Sequence, residues 1–276
     1  MGNIIKKKIK HGIFSYYSND KYIGKSLSEY GEWSEAEVNL LKQLLPDNDN
    51  IIEIGSNIGT HTIPLAKQVL NGGLVYAIEP QHQNHKLLLE NIKDNEIKNV
   101  KVLKVAISSK EGKAYMNTFD ENISCNYGDS RIFSANFKDA ESVPVKTLDQ
   151  LFIDDIKEKK SIKLIKCDAQ GQELNIILGS RKIIDIYKPY LYLENDDINT
   201  SKILIEEIKR MGYVMFWHLP PLYNPDNFLR NNKNIFPKII SCNMFCIHSS
   251  LKIKLDQIWE KFRVKDSDYH PLKKIT

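Results

Sequence analysis

The chain has 276 residues, of which 42% are hydrophobic and 27% are charged, and its formal net charge is +4. This composition is ordinary for a folded globular protein. It includes no apolar run near the ~20 residues of a membrane span, and its basic residues are spread out, unlike those of a nucleic-acid-binding element. The first ten residues lack the apolar core of a signal peptide and the four cysteines form no CxxC pair, so a cytoplasmic protein with reduced thiols is expected.

Residues 1–48 are predicted to form an N-terminal extension that packs on the core. Its clearest element is a helix that begins after Ser34, because Glu37 follows three residues later and the two residues form a capping box. Val38 and Leu41 continue with the spacing of one apolar helix face.

Strand and helix patterns alternate over residues 49–250, which are predicted to form one domain. Short apolar runs predict strands at 51–54, 74–78, 100–107, 162–167, 190–193, 213–217 and 241–247, and helical patterns lie at 59–69, around 87–92, from 147, at 173–186 and at 201–211. This alternation predicts an α/β fold with a doubly wound, mostly parallel seven-stranded sheet. The seventh strand follows a loop instead of a helix, so an antiparallel direction stays open. Residues 112–146 are predicted to be short, turn-broken pieces, and residues 251–276 a polar C-terminal tail.

A glycine-rich turn follows the first strand of this domain. Gly55 and Gly59 let the backbone turn tightly and approach a ligand, and the next helix would favour a carboxylate at its N-terminus. Glu79 ends the second strand, twenty residues after Gly59, where a carboxylate can accept hydrogen bonds from both hydroxyls of a ribose. The segment 105–108, which contains Ala106, and the segment 125–128 are candidate walls for an adenine. Together these features predict a site for an adenosine cofactor.

Two alternatives to this interpretation stay open. The turn alone is also compatible with a plain strand-to-helix connection that binds nothing. A nicotinamide-dependent oxidoreductase would carry G-x-G-x-x-G, because its pyrophosphate needs close backbone approach at the second glycine. Asn57 occupies that position, and Glu53 before the turn suits an amino-acid-bearing ligand better than a pyrophosphate.

Several motifs together resemble the FkbM family of methyltransferases. They are Glu53-Ile-Gly-Ser-Asn-Ile-Gly-Thr-His-Thr62, Val75-Tyr-Ala-Ile-Glu-Pro80 and Ile165-Lys-Cys-Asp-Ala-Gln-Gly-Gln-Glu173, with Tyr30-Gly-Glu-Trp-Ser-Glu35 upstream and Leu222-Tyr-Asn-Pro-Asp-Asn227 downstream. The resemblance spans roughly residues 16–248. It implies the Rossmann-like class I methyltransferase fold, S-adenosylmethionine as cofactor, and methyl transfer to a hydroxyl of a sugar, polyketide or related metabolite.

The resemblance also implies roles for individual residues. The cofactor residues are expected to be Gly55, Asn57 and Gly59 around the methionine part, Glu79 on the ribose, and Glu53, Thr62, Ala106 and Asp168 nearby, with Glu32 closing over the cofactor. One departure concerns the pattern Asp-x-Glu-Gly-x-Glu, in which this chain has Gln170 as the middle residue. An amide is not a base, so the role of the family's middle carboxylate is in doubt here.

An alcohol acceptor benefits from a general base within hydrogen-bond reach. Asp168, Glu194 and His218 end strands on the same rim and are the catalytic candidates. Asp168 is favoured because it directly follows the fourth strand; its alternative role is to bind the cofactor's ammonium group. A histidine ordinarily titrates near neutral pH, which makes His218 a plausible base, but an anchoring hydrogen bond for the loop explains it equally well. Asp168, Glu194 and Asn195 have oxygen ligands that suit magnesium, yet nothing in their spacing demands it and no metal is assigned.

The acceptor is expected to contact the loops at 115–145 and 219–240. Tyr223, Asn224 and Asn227 are candidates to hydrogen-bond a polyhydroxylated molecule, although Asn also serves in ordinary turns. The sequence therefore predicts an S-adenosylmethionine-dependent O-methyltransferase whose partner is a small-molecule or glycan acceptor, without nucleic acid. A nucleic-acid methyltransferase and a non-catalytic adenosine-binding protein remain alternatives, and the oligomeric state, including a homo-oligomer, stays open.

Overall fold

The computed structural model describes residues 4–119, 123–154, 161–251 and 257–274. The strands are β1 (Ile4–Ile9), β2 (Gly12–Tyr17), β3 (Asn50–Ile54), β4 (Val75–Ile78), β5 (Val100–Leu103), β6 (Ala106–Ile107), β7 (Gly112–Asn117), β8 (Ile132–Phe133), β9 (Ala140–Lys146), β10 (Ile162–Cys167), β11 (Tyr190–Glu194), β12 (Tyr213–His218) and β13 (Asn243–His248). The helices are α1 (Ile23–Glu29), α2 (Glu35–Leu44), α3 (Thr62–Gln68), α4 (His82–Asp94), α5 (Leu148–Leu151), α6 (Glu173–Leu178), α7 (Arg181–Tyr187), α8 (Ile198–Arg210) and α9 (Gln257–Glu260), followed by a 3-10 helix (Pro271–Lys274).

The central sheet has seven strands in the order β12-β13-β11-β10-β3-β4-β5. Neighbours from β5 to β11 are parallel, whereas β13 runs antiparallel to both β11 and β12. The sheet is therefore mixed, and its antiparallel member is the strand that no helix precedes in the sequence pattern.

Alternate residues of the strands fill two separate apolar clusters. On one face, Ile52 and Leu191 pack with residues of α6, α7 and α8; on the other, Ile51 and Tyr192 pack with residues of α2 and α3. Because successive side chains of a strand point to opposite faces, this alternation shows that helices cover both sides of the sheet.

The chain order reverses between β3 and β10. From β3 the chain continues to β4 and β5 on one side, and it later returns to β10 and β11 on the other side. In open α/β sheets, ligands bind outside the carboxyl ends of the strands at such a reversal. The glycine-rich turn after β3 and Asp168 after β10 lie at this point, where Asp168 N–H donates to the Ile54 carbonyl at 3.0 Å.

Two smaller sheets flank the central one, and the sequence patterns indicate neither. β1 and β2 form an antiparallel hairpin, and the Ser15 N–H of β2 donates to Asn91 Oδ1 of α4 at 2.6 Å. The strands β6, β9, β7 and β8 form a four-stranded sheet from the segment for which the sequence predicts turn-broken pieces. These strands contain too few apolar residues to form a regular alternation, so the sequence pattern alone does not distinguish them from turns.

Three predicted elements differ in detail. The strand predicted at 100–107 is two strands, because the chain leaves the central sheet after Leu103 and joins the small sheet at Ala106. The helix predicted at 173–186 is α6 and α7, broken at Gly179, where a Cβ would lie 2.2 Å from the Ser108 carbonyl oxygen. At Ser34 the hydroxyl donates to the Glu37 carboxylate at 2.6 Å instead of capping an N–H group.

The cysteines Cys167, Cys242 and Cys246 are buried thiols outside any disulfide. Within the described residues, every helix is too short or too polar to cross a membrane.

Candidate functional site

One cavity of about 390 Å³ opens at the carboxyl ends of the central strands. Its polar lining residues come from several parts of the chain and include Glu37, Asn57, His61, Glu79, Asn84, Lys166, Asp168, Gln170, Glu194, Asp196 and Asn243. Apolar walls are contributed by Trp33, Ile107, Met116, Ile132, Leu222, Ile239 and Leu272. Both loops that are expected to shape the acceptor pocket therefore reach the cavity.

The turn after β3 requires glycine at its first position. Gly55 has φ +81°, and a Cβ placed on it would lie 1.8 Å from the Asp168 carbonyl oxygen. Gly59 also has a positive φ, +92°, and Asn57 adopts the left-handed region at +49°. Such conformations are uncommon for residues with a side chain. The tight turn therefore depends on its glycines, and residues 55–57 of the turn line the cavity.

Glu79 lies at the end of β4 and faces this turn. Its carboxylate accepts the Asn57 N–H at 2.8 Å and the Gln81 N–H at 2.9 Å. The side chain is only 4% exposed, and burial raises its pKa to about 7. Each carboxylate oxygen retains a second lone pair, so Glu79 can still accept hydrogen bonds from a ligand in the cavity.

Asn84 of α4 is a lining residue that the sequence patterns did not single out. Its Nδ2 donates to the Tyr127 carbonyl at 2.9 Å, which fixes the amide, while its buried Oδ1 has no hydrogen-bond partner among the described residues. A buried acceptor of this kind normally has a partner. Glu79 and Ala106 also line the cavity. The two acceptors, the Asn84 amide oxygen and the Glu79 carboxylate, suit a ligand that presents hydrogen-bond donors, as the hydroxyl and amino groups of an adenosine do.

Glu53 and Thr62 support the turn from below. Thr62 Oγ1 donates to Glu53 Oε2 at 2.5 Å, and both side chains are almost completely buried. Burial raises the pKa of Glu53 to about 7. Their chain neighbours Ile54 and His61 line the cavity, so the two residues support the glycine-rich turn, and a direct contact of Glu53 or Thr62 with a cofactor stays a prediction.

A charged cluster lies at the ends of β10 and β11. Lys166 is 1% exposed, and its Nζ lies 3.4 Å from Asp168 Oδ2. Gln170 Nε2 lies 3.0 Å from Glu194 Oε2. Burial opposes the charge on Lys166, but Asp168, Glu53 and other carboxylates raise its pKa overall. Burial, and then the neighbouring Asp168, raise the pKa of Glu194 well above its usual range.

His218 lies apart from the other two catalytic candidates. Its Nδ1 is 2.7 Å from the Tyr192 hydroxyl, and its ring packs near Trp259. It is absent from the described residues that line the cavity. Burial lowers the pKa of His218 to about 4, so the imidazole is neutral at pH 7. Asn195 also turns away, because its amide donates to the Met244 sulfur at 3.3 Å.

Glu32 and the predicted acceptor residues form a cluster of their own. Glu32 accepts from Asn224 Nδ2 at 2.7 Å, from the Phe228 N–H at 3.0 Å and from Lys10 Nζ at 3.1 Å. Asn227 Nδ2 donates to the carbonyls of Asn224 and Asn231. The Tyr223 ring packs against Tyr30, with centroids 5.4 Å apart. The contacts of Glu32 and Tyr30 hold the loop at residues 222–231 against the N-terminal extension, and Leu222 of this loop lines the cavity.

The Glu32 contacts lead to a testable expectation about this loop. Replacing Glu32 by Ala leaves the Asn224 amide and the Phe228 N–H without their acceptor, and we expect a loss of about 2–4 kcal/mol in the free energy of unfolding. S-adenosylhomocysteine affinity should stay unchanged if Glu32 only anchors the loop. Urea denaturation and calorimetric titration measure the two effects. Glu29→Ala, which removes an exposed contact of the same loop with Asn231, is the control and should change little. A large loss of affinity with intact stability would instead place Glu32 on the cofactor.

The comparisons with known proteins point to one family. The family model described as "Methyltransferase FkbM domain" matches residues 53–215, so the motifs at 30–35 and 222–227 lie outside the match. No curated protein matches the chain.

Three solved structures illustrate the similarity. A methyltransferase FkbM from Methylobacillus flagellatus has 17% identity and a TM-score of 0.48, over 73% of this chain and 44% of that one. A precorrin-6y C5,15-methyltransferase from Geobacter metallireducens has 12% identity and a TM-score of 0.45, over 76% and 87%. An rRNA methylase from Streptococcus thermophilus has 14% identity and a TM-score of 0.44, over 77% and 94%. The chain thus spans less than half the length of the Methylobacillus protein.

Proposed function

This chain belongs to the FkbM methyltransferase family, as its motifs predicted, and from that premise we propose that it is an S-adenosylmethionine-dependent methyltransferase that acts on a hydroxyl of a sugar, glycan or related small metabolite. One observation carries the proposal: the glycine turn, Glu79 and Asp168 line a single cavity at the point where the strand order reverses. Gly55, Asn57 and Gly59 would pass under the methionine part, and Glu79 with Asn84 would bind the adenosine.

The chain's own side chains have to orient the acceptor and receive its proton. The bound cofactor supplies an electrophilic methyl group, so that a C–O bond forms while the C–S bond breaks and its electron pair stays on sulfur. Asp168 lines the cavity with a side chain that is 39% exposed, and it can accept the hydroxyl proton at a carboxylate oxygen. Holding the two reactants in line can itself supply a large part of the rate acceleration.

The charge of the cavity favours an acceptor without phosphate groups. The carboxylates Glu37, Asp168, Glu194 and Asp196 line it, whereas its basic lining residue, Lys166, already lies among carboxylates. Nucleic-acid binding depends on Lys and Arg that neutralise phosphates. The described lining residues offer several carboxyl groups and no unpaired lysine or arginine, which supports a small neutral acceptor over a nucleic acid.

Calorimetric titration with S-adenosylhomocysteine tests the function, with NADH as the comparison ligand. We expect binding of S-adenosylhomocysteine alone, about tenfold weaker at pH 6 than at pH 8. The ribose hydroxyls would favour the ionised form of Glu79, whose pKa of about 7 in the free protein means that a proton must leave first at low pH. Glu79→Gln should weaken binding at pH 8 by about tenfold or more and remove the pH dependence.

Glu173→Gln is the matched control for Glu79→Gln. Burial also raises the pKa of Glu173 to about 7 and its carboxylate accepts the Ala169 N–H, but Glu173 is not among the described residues that line the cavity. This variant should keep the pH dependence of the parent protein. Binding of NADH alone, or S-adenosylhomocysteine binding that Glu79→Gln leaves unchanged, would contradict the proposal or its ribose assignment, respectively.

A further inference from the structure

Gln170 lies between two carboxyl groups at the carboxyl ends of neighbouring strands. Its Nε2 is 3.0 Å from Glu194 Oε2 and 3.4 Å from Asp168 Oδ1. A side-chain amide carries two N–H donors, so one amide can serve both carboxyl groups. The family pattern has a glutamate at this position, and that residue would add a third carboxylate instead of a donor.

Lys166 makes the two carboxyl groups unequal. Its Nζ lies 3.4 Å from Asp168 Oδ2, and its side chain is 2% exposed. Glu194 accepts from the Gln170 amide at 3.0 Å, and burial, followed by the nearby Asp168, raises its pKa. Two carboxyl groups that share one site do not both ionise readily. The group beside the ammonium is therefore the one that keeps its negative charge.

We propose that Gln170 and Lys166 are positioning residues for methyl transfer: they hold Asp168 and Glu194 as one pair that shares a single proton, with the negative charge on Asp168. The role of this carboxyl pair in methyl transfer rests on the proposed function. Charged groups from the neighbouring elements face Asp168: Lys166 on its own strand, Glu53 on β3, Glu79 after β4, Glu37 on α2, Glu194 at the end of β11, Asp196 after it, and Glu173 on α6.

The pair defines where the acceptor's proton goes. Before transfer it holds one proton and one negative charge. When the hydroxyl oxygen gains the methyl group, its proton moves to Asp168, and the pair then holds two protons and no charge. One proton afterwards leaves to water, which restores the starting state. A glutamate at position 170 would add a negative charge to this cycle, and Gln170 avoids it.

Carbon-13 NMR of the full chain, labelled at the glutamate carboxyl carbons, tests the proposal without an acceptor. Loss of one signal in Glu194→Gln assigns Glu194. We expect Glu194 to be protonated at pH 7 in the parent protein. Asp168→Asn removes the neighbouring charge and should lower the pH at which Glu194 ionises by about one unit or more, whereas Gln170→Leu removes the donor to its ionised form and should raise it.

Gln172→Leu is the control, because Gln172 lies in the same loop and its Oε1 accepts from Asn175 at 3.1 Å; it should leave the Glu194 titration in place. Asp168→Asn and Gln170→Leu are expected to shift the Glu194 titration in opposite directions. A result from either variant therefore tests the proposal even if the other variant does not fold. A Glu194 that is ionised at pH 7 in the parent protein, or that titrates identically in both variants, overturns the proposal. S-adenosylhomocysteine titration is independent of this result: shifted titration without cofactor binding would retain the pair and reject the methyltransferase function.

Discussion

Gly55→Ala is expected to abolish measurable S-adenosylhomocysteine binding and to lower the free energy of unfolding by about 2–5 kcal/mol. Two effects add at this position. A side chain at φ +81° costs roughly 1–2 kcal/mol, because the left-handed region crowds the Cβ. The new Cβ would also lie 1.8 Å from the Asp168 carbonyl oxygen. Since that oxygen belongs to the backbone, the turn or the end of β10 has to move, at a further ~1–3 kcal/mol.

Gly171→Ala separates the two effects. Gly171 has a similar φ of +88°, but a Cβ on it would meet nothing within 4 Å. The Gly171→Ala variant should lose only the free energy of unfolding that a side chain in the left-handed conformation costs, and it should retain ligand binding. Urea denaturation and calorimetric titration of both variants check the comparison. Equal losses in the two variants would show that backbone conformation alone, and not the close approach to Asp168, makes glycine necessary at position 55.

The sequence patterns predicted the central sheet well because its strands are buried on both faces. Runs such as Ile51–Ile54 and Ile162–Cys167 are mostly apolar, and each is followed by a helix. Small sheets give weaker signals. In β1, three consecutive lysines interrupt the apolar residues, and the hairpin is recognisable only from its packing on α4. In β7 and β9, burial alternates, but neighbouring turns and polar residues hide that alternation in the sequence.

The grouping of the candidate cofactor residues at one edge of the sheet was predictable because these residues follow directly from strand ends. Gly55, Glu79 and Asp168 each come after a recognisable strand, so the sheet alone brings them to one edge. The contacts of Glu32 depend on a loop almost two hundred residues away, and sequence spacing contains no information about that pairing. Asn84 was missed because a polar residue in the first turn of a helix is ordinary.

Lys166 has a signal in the sequence that is independent of the family motifs. A lysine inside the apolar run Ile162–Cys167 is unusual, since fully buried lysines are rare unless they are paired. The register places Lys166 opposite Glu53 on β3 and opposite Tyr192 on β11. Opposite charges at the same depth on two neighbouring strands therefore indicate a buried charged cluster, in which the Lys166 Nζ lies 3.4 Å from Asp168 Oδ2.

Lys166→Met is expected to destabilise the protein by about 3–5 kcal/mol at pH 8, because it leaves buried carboxylates without their cation. The pKa of Lys166 is raised in the folded state, so its contribution is complete below the unfolded value of ~10.4 and is lost only as pH rises through the folded value. In the variant, Glu53 and its neighbours can become neutral by taking up protons. Burial already places the Glu53 pKa at about 7, and the deficit should therefore shrink as the pH falls from about 8 to about 5.5.

Denaturation of the variant and the parent protein across this pH range measures the deficit. Lys163→Met is the control on the same strand: Lys163 is partly exposed and lies over the Tyr190 ring at 5.4 Å, so its replacement should have a small effect that does not depend on pH. A deficit for Lys166→Met that is equally large at both ends of the range would mean that lost packing of the side-chain stem dominates. A deficit confined to high pH would show that Lys166 stabilises this fold mainly by its charge, as the cation that lets several carboxylates lie buried together beneath the cavity.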